Sequence, residues 1–144
     1  MWIDLNNKPI KSHEDLHPDC TDIVYLIEYD NGQSYIGKKT VRSWRTLPPL
    51  KGKVRKRKVF KDIPFMKYEG SHGQLGLVAV NKTILSQCGS RKTATLLEIE
   101  EILTRGALAN DKFINANILG KFFPRDYEGI LNVDSNPRSM GNQV

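Results

Sequence analysis

Apolar and polar positions between Val24 and Lys39 fall into two short runs around a polar break. Val24, Tyr25, Leu26 and Ile27 precede Asp30-Asn31-Gly32, and Tyr35, Ile36 and Gly37 follow it. Valine, isoleucine, leucine and tyrosine favour strands, and Asn and Gly accept positive φ cheaply, so the pattern predicts a β-hairpin. Loop length decides which side chains share a face. A two-residue loop at Asn31-Gly32 pairs Glu28 with Tyr35 and sends Tyr25 and Tyr35 to opposite sides. A three-residue loop with Gly32 left-handed pairs Ile27 with Tyr35 and Tyr25 with Gly37, and both tyrosines share one face. We adopt the second register. In it Gly37 leaves open space beside Tyr25 where a ligand backbone can come close.

Lys82–Cys88 reads as a third strand, broken at Gly89-Ser90, with Ser90 as N-cap of a helix over Arg91–Arg105 that Gly106 ends. At about 100° per residue, Leu96, Ile99, Ile102 and Leu103 form its apolar face. Glu101 points away from that face. Glu98 and Glu100 lie on its opposite margins, and periodicity does not choose between them. Lys38–Trp44 predicts the start of a short helix, stopped by Pro48-Pro49. Phe65–Ser71 is expected to dock the following loop on the core, and Phe122-Phe123-Pro124 to close it. Leu75–Val80 is too short to assign. Met1–Asp22 reads as an irregular lead-in, with one helical turn capped by Ser12 and ended by Pro18. Its His13, His17 and Cys20 read as a surface turn, since a structural zinc site wants four ligands. Asp134–Val144 reads as a frayed tail.

The chain of 144 residues suits one domain with a modest core, and no apolar run approaches the roughly 20 residues of a membrane span. No basic region followed by an apolar core marks a signal peptide. Cys20 and Cys88 make no disulfide framework and are expected as free thiols in a reducing, cytoplasmic setting. Charge changes the picture most. The net charge is +6, yet Lys38–Lys67 holds twelve Lys or Arg against one acid, Asp62, and the remainder is acidic. A basic strip on a mildly acidic body is the footprint of a polyanion binder. Lys39, Lys51, Lys53, Arg55, Lys56, Arg57 and Lys58 are its candidate phosphate contacts, through counterion release.

The hairpin resembles the signature of the GIY-YIG nucleases. The second triplet is intact as Tyr35-Ile36-Gly37, the first is Ile23-Val24-Tyr25, and the tyrosines stand ten positions apart. The similarity runs over roughly Val24–Phe123 and looks like the phage Seg-like branch. It includes Lys38-Lys39, the Pro48–Lys53 stretch, Tyr68-Glu69-Gly70-Ser71, Leu97-Glu98 and Asn115. The resemblance selects Glu98 over Glu100. It implies an α+β fold, a small three-stranded antiparallel sheet flanked by helices. Residues 22–126 would be the nuclease domain, with a basic loop at 48–61, between a lead-in at 1–21 and a tail at 127–144.

The resemblance also implies metal-dependent hydrolysis of DNA. Glu98 would hold one divalent ion, Mg2+ or Mn2+. Arg45, with Arg42 as the alternative, would clamp the phosphate oxygens. Tyr25 would act as base, its pKa lowered by Lys38, Lys39 or the metal. Tyr35 would orient water or phosphate, and Asn115 would support the loop near the metal ligand. The family's histidine one turn after the arginine is replaced here by Pro49. A DNA-binding module without catalysis is the alternative, and a partner-binding phage protein a third. Double-strand cutting would need a homodimer or two successive nicks.

Overall fold

The computed structural model describes residues 1–70 and 76–131. Seven strands and one α-helix follow in the order β1 (Trp2–Ile3), β2 (Pro9–Ile10), β3 (Asp22–Tyr29), β4 (Ser34–Thr40), β5 (Arg42–Leu47), β6 (Arg57–Asp62), β7 (Ala79–Cys88) and α1 (Arg91–Thr104). The main sheet has the order β2-β1-β7-β3-β4, and β5 and β6 form a separate two-stranded sheet. The expected antiparallel trio is there as β7-β3-β4. It is extended by β1, which pairs parallel to β7, so the sheet is five-stranded and mixed rather than three-stranded and antiparallel.

The hairpin adopts the three-residue register, with Ile27 opposite Tyr35 and Tyr25 opposite Gly37. Gly32 takes φ +85°, the left-handed conformation that glycine adopts without Cβ strain. Alternation then divides the core. Ile23, Tyr25, Ile27 and Tyr29 pack with Trp2 and Phe65 on one face. Val24, Ile36 and Leu85 meet Ala94 and Ile102 of α1 on the other.

The lead-in is not irregular. Trp2 is fully buried, and its indole Nε1 donates to the Phe65 carbonyl at 3.0 Å. Two-residue strands are too short to show a period, which is why the pattern missed them. The single turn capped by Ser12 is present at His13–Asp15. His13 itself points inward, edge-on to Phe65, with Nε2 within 3.0 Å of the Val41 and Ile63 carbonyls.

The expected helix from Lys38 to Trp44 is absent. β4 runs to Thr40 and β5 begins at Arg42, pairing with β6 in continuous antiparallel register. The expected basic loop is therefore a ribbon for part of its length, with residues 48–56 as its tip. Cross-strand hydrogen bonding and the Trp44–Phe60 pair hold it against charge repulsion. Phe65 docks the returning chain as expected.

Ser90 caps α1, its hydroxyl accepting from the Thr93 amide. The buried face is turned toward Ala94 and Leu97. Leu96 and Leu103, expected inside, are 63% and 52% exposed. A large side chain at the right period does not outbid a small one when the helix must lie close on β3 and β4. Phe122 is also largely exposed, while Phe123 is half-buried. Tyr127, where the expected tail at 127–144 begins, belongs to a 3-10 turn over Pro124–Gly129. Ser71–Leu75 and the tail from Asn132 lie outside the described residues. Both cysteines are free and buried.

Candidate active site

β4 is an edge of the main sheet, and the candidate residues gather on both of its faces. On one face, Tyr25 and Tyr35 lie with ring centroids 6.2 Å apart. A third ring, Tyr68, stands edge-on to Tyr25 at 5.7 Å, and the two hydroxyl oxygens are 3.1 Å apart. Tyr68 comes from the segment that returns from the basic ribbon. Lys82 of β7 fixes that segment, its ammonium donating to the Met66 and Tyr68 carbonyls at 2.6 and 3.1 Å. Burial pushes the Lys82 pKa down, and Glu69 opposes this. Lys39 lies on the same face, its Nζ 5.4 Å from the Tyr68 ring centroid.

Gly37 does not leave open space. A Cβ there would sit 2.5 Å from the Tyr25 hydroxyl oxygen and 2.7 Å from Tyr35 Cε2. The two tyrosine rings themselves fill the gap, and Tyr25 is 1% exposed. Burial pushes the Tyr25 pKa far up, reinforced by the hydrogen bond with Tyr68 and by the neighbouring tyrosines. The expected lowering by Lys38 or Lys39 is not found, because desolvation of a phenolate outweighs cations that lie elsewhere. Tyr35 is only half-buried, so it is the tyrosine of the pair that solvent reaches.

On the other face, Lys38 points toward α1 and donates to Thr95 Oγ1 at 2.6 Å. Glu98, one turn further along α1, is half-buried. Burial raises its carboxyl pKa, and the positive charge of Lys38 pulls the other way. Glu100 is exposed, and Glu101 pairs with Arg105 at 2.9 Å. The structure thus brings Lys38 to Glu98, and Tyr25 to Tyr35 and Tyr68. The two groups flank one sheet edge rather than sharing one face.

Asn115 braces that edge. Its amide oxygen accepts from the Ile36 N–H at 3.1 Å, and its amide nitrogen donates to the Ile36 carbonyl at 2.8 Å. One side chain thereby completes the hydrogen bonding of the central signature residue, and the Ser34 amide and carbonyl bond to Lys112 and Ile114 beside it.

The two candidate phosphate clamps differ sharply. Arg42 is buried, and its guanidinium donates to Asp62 and to the carbonyls of His13, His17, Pro18 and Cys20. Arg45 is exposed on β5, opposite Val59, and sits on a strand rather than a helix. Lys51, Lys53, Arg55 and Lys56 are exposed in the ribbon tip, and Arg57 and Lys58 on β6. Tyr68 and Lys82 went unremarked as site residues in the sequence. Tyr68 stood in a matching motif, but only its contact with Tyr25 reveals a role, and nothing local marks Lys82.

Among the described residues, no three His, Cys, Asp or Glu side chains gather as a metal centre, and no helix is long and apolar enough to cross a membrane. A single half-buried carboxylate fits Mg2+, which keeps several waters and is completed by substrate phosphates.

One family model matches residues 2–118, described as "Putative endonuclease segE, GIY-YIG domain". No curated protein and no solved structure matches the chain.

Proposed function

Because the chain belongs to the GIY-YIG family, in its segE branch, we propose that it is a metal-dependent endonuclease that hydrolyses DNA phosphodiester bonds. One observation carries this reading. The edge strand β4 holds the intact Tyr35-Ile36-Gly37 triplet, with Tyr25 in register at Gly37 and Glu98 drawn to Lys38 around the same edge.

Glu98 would hold the divalent ion, Mg2+ or Mn2+. When bound, the ion supplies positive charge that offsets the phosphate and the leaving oxygen. Its charge also suits a carboxylate that burial otherwise leaves uncompensated. Lys38 partly offsets the effect of burial on Glu98 in the absence of that charge. Arg45 is the free guanidinium for the non-bridging oxygens, since Arg42 is spent on the fold. Tyr25, neutral and buried, holds and orients through its hydroxyl. Tyr35, reached by solvent, stands where a water or phosphate oxygen can be bonded. Asn115 keeps β4 in place beneath them.

The burial of Tyr25 favours a second reading, a DNA-binding module on the same scaffold without catalysis. The two part at Glu98, which a binder does not need. Plasmid cleavage with Mg2+ or Mn2+, against EDTA and Glu98→Ala, tests the choice. Nicking that needs metal and disappears with Glu98→Ala, in a variant that still folds, supports the nuclease. No cleavage by the wild type on several DNAs supports the binder. A phage-encoded enzyme working in the cytoplasm, as a monomer that nicks or a homodimer that cuts both strands, completes the proposal.

A further inference from the structure

We propose that the β5–β6 ribbon is a DNA-binding arm whose Trp44 stacks on an unpaired base, so that the protein prefers DNA carrying single-stranded nucleotides beside a duplex. The inference rests on DNA being the ligand and deepens that reading by naming the substrate class.

The chain has two tryptophans with opposite fates. Trp2 is fully buried, whereas Trp44 is 64% exposed. Trp44 pairs across the ribbon with Phe60, ring centroids 4.8 Å apart and planes inclined by 32°. A cross-strand aromatic pair explains one face of the indole. Most of the Trp44 surface is still left to solvent, which is a costly position for the largest apolar side chain.

Register places the surroundings. Arg42 and Asp62, then Trp44 and Phe60, then Thr46 and Lys58 share one side of the ribbon. The Arg42 guanidinium carbon lies 5.9 Å from the Phe60 ring centroid and is locked by Asp62 and backbone carbonyls. Phe60 is therefore set between a fixed cation and Trp44, and the platform is formed before any ligand arrives. The opposite side carries Lys61, Arg45 and Arg57. From Arg45 to Lys61 the ribbon holds eight Lys or Arg and no acid.

This combination selects the partner. An acidic protein surface would satisfy the charges, but its carboxylates give an open indole no flat face to stack on. Single-stranded DNA offers phosphates for the cations and a base face for Trp44. Bases within a duplex already stack on their neighbours, so an unpaired one is the better fit.

The test compares a paired duplex with the same duplex carrying a single-stranded overhang. Binding by the full chain is followed in EDTA by anisotropy and tryptophan emission. The overhang DNA should bind roughly 5- to 100-fold tighter and quench the exposed tryptophan. Trp44→Leu should lose the preference yet keep duplex affinity. Trp44→Phe should keep most of it, and the buried Trp2 emission reports that each variant is folded. Equal binding of the two DNAs by the wild type, or a preference that survives Trp44→Leu, overturns the proposal. A protein that cleaves plasmid with metal but binds both DNAs equally keeps the nuclease and loses the stacking arm. One that shows the preference without cleavage keeps the arm and loses the nuclease.

Discussion

Tyr25 and Gly37 face each other across β3 and β4, and the tyrosine ring occupies the volume that a side chain at Gly37 would need. The glycine of the signature therefore makes room for the protein's own tyrosines. Gly37→Ala should destabilise the fold by about 1–3 kcal/mol through overpacking. Denaturant unfolding measures that cost, and cleavage should fall further than the unfolded fraction explains, because Tyr25 and Tyr35 must both shift.

Removing hydroxyls should separate the two tyrosines. Tyr25→Phe leaves the Tyr68 hydroxyl without its partner and should cost about 0.5–1.5 kcal/mol of stability. Tyr35→Phe should cut the cleavage rate on the order of 100-fold or more if its hydroxyl bonds the water or phosphate. Single-turnover rates with saturating protein read this effect apart from DNA affinity.

The two arginines are expected to behave oppositely. Arg42→Ala strands buried carbonyls and an aspartate and should cost about 3 kcal/mol or more. Arg45→Ala should stay within about 0.5 kcal/mol of wild type while slowing cleavage. Thermal melts and cleavage assays on both variants distinguish a fold residue from a phosphate clamp. A melt of Arg45→Ala as low as that of Arg42→Ala would remove Arg45 from the site.

Glu98 sets a pH dependence of definite sign. Its pKa is raised in the folded chain, so the folded state favours the protonated form. That contribution is fully present below the ordinary glutamate pKa and is lost as pH rises through the raised value. Glu98→Gln should therefore unfold at higher denaturant than wild type at neutral pH, and the gap should close in acid. Metal-dependent activity should run the other way, falling as acidification protonates Glu98. Unfolding midpoints across pH check the first half, and Mg2+-dependent cleavage rates across the same pH range check the second.

The hairpin was legible because a count of loop residues and one left-handed glycine fix the pairing of every position. Lys82–Cys88 and the Ser90 cap were legible for the same local reasons. The ribbon was not, since repeated lysines and arginines hide the pairing of Trp44 with Phe60, which only the folded register brings together. Trp2 and Phe65 are 63 positions apart, and their hydrogen bond leaves no local pattern. Glu98 was chosen by resemblance, and its half-burial beside Lys38 follows from Ala94, which lets α1 lie close on the sheet. Tyr25 marks where local reasoning failed. Nearby lysines in the sequence promised a lowered pKa, whereas side-chain alternation sends Lys38 to the far face and burial decides the outcome.

The amide of Asn115 has a consequence for assembly. An uncovered edge strand invites another chain to add itself to the sheet, the usual beginning of uncontrolled aggregation. From Ser34 to Ile36 that invitation is withdrawn, because Lys112, Ile114 and the Asn115 side chain already occupy the main-chain groups that a newcomer would need. Two copies of this chain cannot join by continuing the sheet across that stretch.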